Sequence, residues 1–91
     1  MATYSGVIYS KTATLVASTV DHVIFVQMGW ITVINHDATE TITITTTGTD
    51  PTVDGNDTIP VLPKTAARLA VTSDTVELIS GGTPKYTALL A

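Results

Sequence analysis

Two places in the chain set a carboxylate beside an imidazole, Asp21-His22 and His36-Asp37, and such a pair is the part of a hydrolytic triad that activates a nucleophile. In an extended strand, adjacent side chains point to opposite faces, so Asp21 cannot orient the ring of His22. His36-Asp37 falls among turn-forming residues, where that objection is weaker. No serine, however, stands in the Gly-x-Ser-x-Gly setting of a nucleophile elbow. A third cluster, Asp50, Asp54, Asn56 and Asp57 around Gly55, offers the oxygen ligands that calcium takes. Counted as a calcium loop from Asp50, Asp54 and Gly55 fall well, but Thr52 and Val61 occupy positions that need stronger ligands, and strands flank the loop. Asx, Gly and Pro are also the residues that any turn recruits, and a structural loop is the expectation. Two histidines and no cysteine are too few for zinc. Asn56-Asp57-Thr58 has the form of a glycosylation acceptor, which matters only in a secreted eukaryotic chain. Trp30 could stack on a sugar, but as the single Trp of the chain, at the start of a strand, it is expected in the core. No enzyme, cofactor or metal is expected.

The elements that would position these residues are strands. Period-2 alternation and β-branched residues recur throughout, most clearly in Thr41 to Thr47, where Ile42 and Ile44 take one face and Thr41, Thr43 and Thr45 the other. Further strands are expected over Thr12 to Ala17, Val20 to Gln27, Trp30 to Asn35, Thr58 to Leu62, Arg68 to Val71, Thr75 to Ile79 and Lys85 to Leu90. Asn35-His36-Asp37, Ser73-Asp74 and Gly81 to Pro84 read as turns, and residues 46–57 as a long loop. Pro60 and Pro63 cannot donate to a ladder, so the strand containing Val61 must be short or at an edge. A helical turn over Lys64 to Ala70 is the weaker alternative, because Leu69 and Val71 continue the alternation. The fold class is therefore all-β. A single small β-sandwich of about eight short strands, immunoglobulin-like or jelly-roll-like, is expected over 12–91, with a short N-terminal arm over 1–11.

Composition bears on the surface. In 91 residues there are only four Lys and Arg against eight Asp and Glu, a net charge of -4, and charged residues are 13% of the chain. Ordinary soluble domains carry about 25%. Threonine, at 19 residues, fills the gap. The basic residues Lys11, Lys64, Arg68 and Lys85 are dispersed, which argues against binding a phosphate backbone directly. No apolar run approaches the roughly 18 to 20 residues that cross a bilayer, and no basic stretch followed by an apolar one opens the chain. A product of a cytoplasm, with no membrane or nucleic-acid partner, is expected. A threonine-covered sheet folds well but repels other copies poorly, since edge strands are usually guarded by charge. Thr41 to Thr47 is expected to invite a neighbour.

Trp30-Ile-Thr-Val-Ile-Asn35, Thr41-Ile-Thr-Ile44, Ile59-Pro-Val-Leu-Pro63 and Val76-Glu-Leu-Ile-Ser-Gly81 together resemble the small all-β virion proteins of tailed bacteriophages that decorate or cement capsids. The resemblance runs over roughly 12 to 90. It implies a non-enzymatic protein on the capsid exterior, assembled in the host cytoplasm, present in many copies as a homo-oligomer or lattice. Its partner would be the major capsid protein or another virion subunit. Tyr4, Val7, Ile8 and Tyr9 are the expected contact residues. The alternatives are a surface binding module, immunoglobulin-like or glycan-binding through Trp30 and the 46–57 loop, and a head-tail or tail component.

Overall fold

The computed structural model describes residues 2–70 and 74–90, and among them there is no helix. Nine strands form two sheets that pack face to face as a β-sandwich. The strands are β1 (Ala2–Tyr4), β2 (Ser10–Thr14), β3 (Asp21–Ile24), β4 (Trp30–Asn35), β5 (Ile42–Thr45), β6 (Ile59–Val61), β7 (Ala66–Ala70), β8 (Thr75–Ile79) and β9 (Lys85–Leu90). The five-stranded sheet has the order β1-β3-β8-β5-β6 and the four-stranded sheet β2-β9-β4-β7. All pairs are antiparallel except β1 with β3. Parallel neighbours need a crossover. Here it is made by sending the intervening β2 into the opposite sheet.

Register shows why these sequences alternate. In the five-stranded sheet, Val23 lies opposite Val76, and Leu78 opposite Ile44, all facing inward. In the four-stranded sheet, Val33 lies opposite Ala88 and Ile31 opposite Leu90. With Leu15, Phe25, Ile42, Val61 and Tyr86 they make the core, every member of it buried except the half-buried Leu90. Burying a Val, Leu, Ile or Phe side chain stabilises by about 1.5–3 kcal/mol, and no disulfide or other crosslink supplements this.

Two polar ties cross the interior at one level. Tyr86 on β9 donates its hydroxyl to Asp21 Oδ2 on β3 at 3.0 Å, and its inward-facing neighbour on β4, Asn35, donates through Nδ2 to the carbonyl of Val61 at 2.9 Å. Burial, and then the Asp21 carboxylate, push the Tyr86 phenol far above its ordinary range, so it stays a donor. At the flank where β1 and β2 are the edges, the Lys11 ammonium lies 4.4 Å from the centre of the Tyr4 ring, closing the seam between the sheets.

Several expectations change. Residues 1–11 do not stand apart as an arm: Ala2–Tyr4 pairs with β3, and Ser10 and Lys11 begin β2. Only residues 5–9 link the sheets, turning at Gly6, whose φ of 106° is open to glycine. The possible helix over Lys64 to Ala70 is instead strand β7, paired with β4. The β6 strand containing Val61 is both short and at an edge, as Pro60 and Pro63 require. Val71 and Ser73, which close one expected strand and open one expected turn, lie outside the described residues.

The threonine face of β5 is not open to a neighbour. Thr43 is 1% and Thr45 7% exposed, because β5 lies between β8 and β6 and the 46–57 loop folds back over it. The Asp54 N–H donates to Thr43 Oγ1 at 3.2 Å, and Thr45 donates its hydroxyl to the carbonyl of Thr49.

Candidate functional site

The acid–imidazole pairs do not form a catalytic arrangement. Asp21 faces the core while His22 emerges on the outer face of the five-stranded sheet, where its Nε2 meets Asp50 Oδ1 at 3.3 Å. Beside His22 in register is Glu77, 2% exposed, flanked on its other side by Thr45. Glu77 Oε1 accepts a 3.3 Å bond from the Thr75 hydroxyl, whereas Oε2 has no hydrogen-bond partner. Burial raises the Glu77 pKa above its ordinary value, opposed by Thr75 and His22 and assisted by Asp50. Glu77 is thus buried beneath the loop, with Thr45 and Thr75 beside it and His22 tied to Asp50.

The second pair is a turn. Asn35 Oδ1 accepts from the Asp37 N–H at 2.9 Å, and Asp37 Oδ2 accepts from the N–H groups of Thr39 at 3.0 Å and Glu40 at 2.8 Å. Those N–H groups, that of Thr39 first, hold the Asp37 carboxyl below its ordinary pKa. His36 bonds through Nε2 to the Thr87 hydroxyl at 2.8 Å.

The 46–57 loop is built from local turns. Gly55 N–H donates to the Thr52 carbonyl at 2.9 Å, Thr58 donates its hydroxyl to the Gly55 carbonyl at 2.6 Å, and Asp54 and Asp57 adopt φ of 52° and 57°. Asx residues tolerate that region better than most. The loop and β5 enclose an open cavity of about 350 Å³ lined chiefly by threonines, Asp50 and Asp57. Among the described residues no three Asp, Glu or His side chains converge as metal ligands.

The feature with the character of a contact site lies at the end of the sandwich where β1 and β3 finish. There the 5–9 link runs beside the connection that carries the chain from β3 in one sheet to β4 in the other, Val26 N–H donating to the Ile8 carbonyl at 3.1 Å, and Leu90 N–H donates to the Tyr9 carbonyl at 2.8 Å. Five large apolar side chains are exposed at this end: Val7 81%, Tyr9 57%, Val26 38%, Met28 63% and Trp30 48%. Among the described residues, Val16, Val53 and Leu62 are also exposed, each on a different connection between strands. Large apolar residues exposed together at one end, unlike single ones scattered over a surface, are what interaction sites present.

Of the four residues expected to make contact, Val7 and Tyr9 are exposed here, Ile8 is half-buried against the core, and Tyr4 is turned inward beside Lys11. Sequence reasoning missed Val26 and Met28, and weighed Trp30 only as a core residue or a sugar platform. Trp30 is not a core residue; it opens β4 on the outer face of the four-stranded sheet, and the Arg68 guanidinium stacks 4.6 Å from its ring. The signal for this end is Val26-Gln-Met-Gly-Trp30, where two large apolar residues stand in a connection between strands and a third opens the next strand. Among the described residues no helix is long and apolar enough to cross a membrane. No protein-family model, no curated protein and no solved structure matches the chain.

Proposed function

We propose that the protein is a non-enzymatic structural subunit that decorates or cements a protein shell, a bacteriophage capsid in the first instance. The carrying observation is the apolar end, with Val7, Tyr9, Val26, Met28 and Trp30 exposed together on a rigid two-sheet scaffold. Docking that end removes apolar surface from water, the one cation beside it, Arg68, lies over the Trp30 ring, and the backbone bonds at Ile8 and Tyr9 hold the end in place beforehand. Rigid side chains such as Tyr and Trp are the usual anchors of such contacts.

The test is electron microscopy of the particle fraction of cells producing the chain, with the protein labelled. The expected result is a regular array on shells, lost in the Val7→Asp/Met28→Asp variant although that variant folds and stays in the soluble fraction. Wild-type protein found only in the soluble fraction, or a double variant that decorates as well as wild type, would overturn the reading.

A further inference from the structure

Charge is divided between the two sheets. The strands of the four-stranded sheet carry Lys11, Arg68 and Lys85 and no acidic residue. Those of the five-stranded sheet carry Asp21 and Glu77 and no Lys or Arg. On the outer faces the contrast is sharper. Register places Arg68 on the same outward face as Thr32 and Leu89, and Lys85 beside Thr14 and in line with Thr87, giving a basic face of threonines and apolar residues. The opposite outer face is draped by the 46–57 loop, held down through Thr43, Thr45 and His22. That loop brings Asp50, Asp54 and Asp57 and no base.

We infer that the occupant of the basic face is a second copy of this chain, seated by its 46–57 loop, so that copies associate head to tail. Charge complementarity selects this partner: a molecule of net charge -4 repels its copies in general, yet Asp54 and Asp57 of one meet Arg68 and Lys85 of the next. The contact is heterologous, using two different patches, and so extends to a ring or an open row rather than stopping at a dimer. The stacking direction runs through the two sheets, at right angles to the end that bears Val7 and Met28. Copies in a row therefore keep their apolar ends side by side. This goes beyond the proposed shell contact; Trp30 borders both surfaces through its stack on Arg68, so Lys85→Glu, which leaves that stack in place, tells the two apart.

Sedimentation velocity over rising protein concentration tests it, at low and high salt. Raising ionic strength from about 0.01 M to about 1 M shortens the screening length from about 30 to about 3 Å, and association should weaken at least roughly tenfold. Asp54→Asn/Asp57→Asn, which keeps residues that tolerate the local φ, and Arg68→Glu/Lys85→Glu should each sediment as monomers where wild type associates. Mixing Arg68→Glu/Lys85→Glu with Asp54→Asn/Asn56→Lys/Asp57→Asn should restore association that neither shows alone. Should the Arg68 substitution lower the melting temperature, Lys85→Glu alone is used, with the same direction expected. A wild type that is monomeric at low salt, variants that associate like wild type, or a mixture that stays monomeric overturns the inference. A wild-type monomer that still decorates shells does so while leaving the apolar-end reading intact.

Discussion

Replacing Tyr86 with Phe removes one oxygen from the centre of the molecule and should be among the most damaging conservative substitutions. The Tyr86 side chain is fully buried, its hydroxyl is 3.0 Å from Asp21 Oδ2, and Asp21 is itself only 3% exposed. Without the phenol, the inward carboxylate loses a donor that water cannot replace unless the sheets part. A hydrogen bond to a charged group contributes about 1.5–3 kcal/mol, so a loss of about 2 kcal/mol is expected. At this chain length each kcal/mol moves the melting temperature by about 4–8 °C, which makes the expected drop roughly 8–16 °C. Asp21→Asn leaves an oxygen to accept the phenol and removes the buried charge, and should cost about 1 kcal/mol or less. Because Asp21→Asn keeps an acceptor, the cycle uses Asp21→Ala with Tyr86→Phe and the double variant, and calorimetry should give a coupling of at least about 1 kcal/mol. A Tyr86→Phe loss below about 0.5 kcal/mol, or additive single effects, would refute the idea that this bond ties the sheets together.

Glu77→Gln should stabilise the protein near neutral pH and change nothing in acid. The folded state holds the Glu77 proton more tightly than the unfolded chain does, so its stabilising contribution is complete below the ordinary pKa of 4.5 and is lost as pH rises through the elevated folded value. Denaturant titrations across that window should show the wild-type slope flattened in the variant. Asn35→Ala should cost about 3–4 kcal/mol, more than Tyr86→Phe, because Nδ2 serves the carbonyls of Glu40 and Val61 and Oδ1 serves the Asp37 N–H; urea unfolding measures it. Arg68→Ala should alter the fluorescence of the single Trp, stacked on that guanidinium, while lowering stability by about 1 kcal/mol or less, as an exposed cation–π contact implies.

Strands whose two ends both carry punctuation were legible to the residue. Trp30–Asn35, Thr75–Ile79 and Lys85–Leu90 combine alternation with a following turn or a preceding proline. The expected strand over Thr12 to Ala17 sits instead at Ser10–Thr14. Leu15 is buried like a strand residue, yet it lies beyond the strand and is fixed by its N–H to the carbonyl of Pro84 at 2.9 Å. Ala2–Tyr4 was missed because three residues cannot display a period. Alternation also says which side chains share a face and nothing about what covers it. The outward threonines of β5 read as open surface, and only the return of the 46–57 loop, a tertiary event, buries them. Trp30 shows the same limit in reverse: hydrophobicity predicts burial, but its parity along β4 assigns it to the outer face, opposite to Ile31 and Val33.

The parallel pairing of β1 with β3 has a consequence for the order of events as the chain matures. The first strand has no hairpin partner close in sequence; its dock exists only once β3 has formed, and β3 in turn leans on β8 from the far side of the chain. Closing such distant loops is slow relative to making hairpins. A copy in which β3 and β8 have not paired has no seat for Ala2–Tyr4, and so cannot bring residues 5–9 beside Val26 at the apolar end.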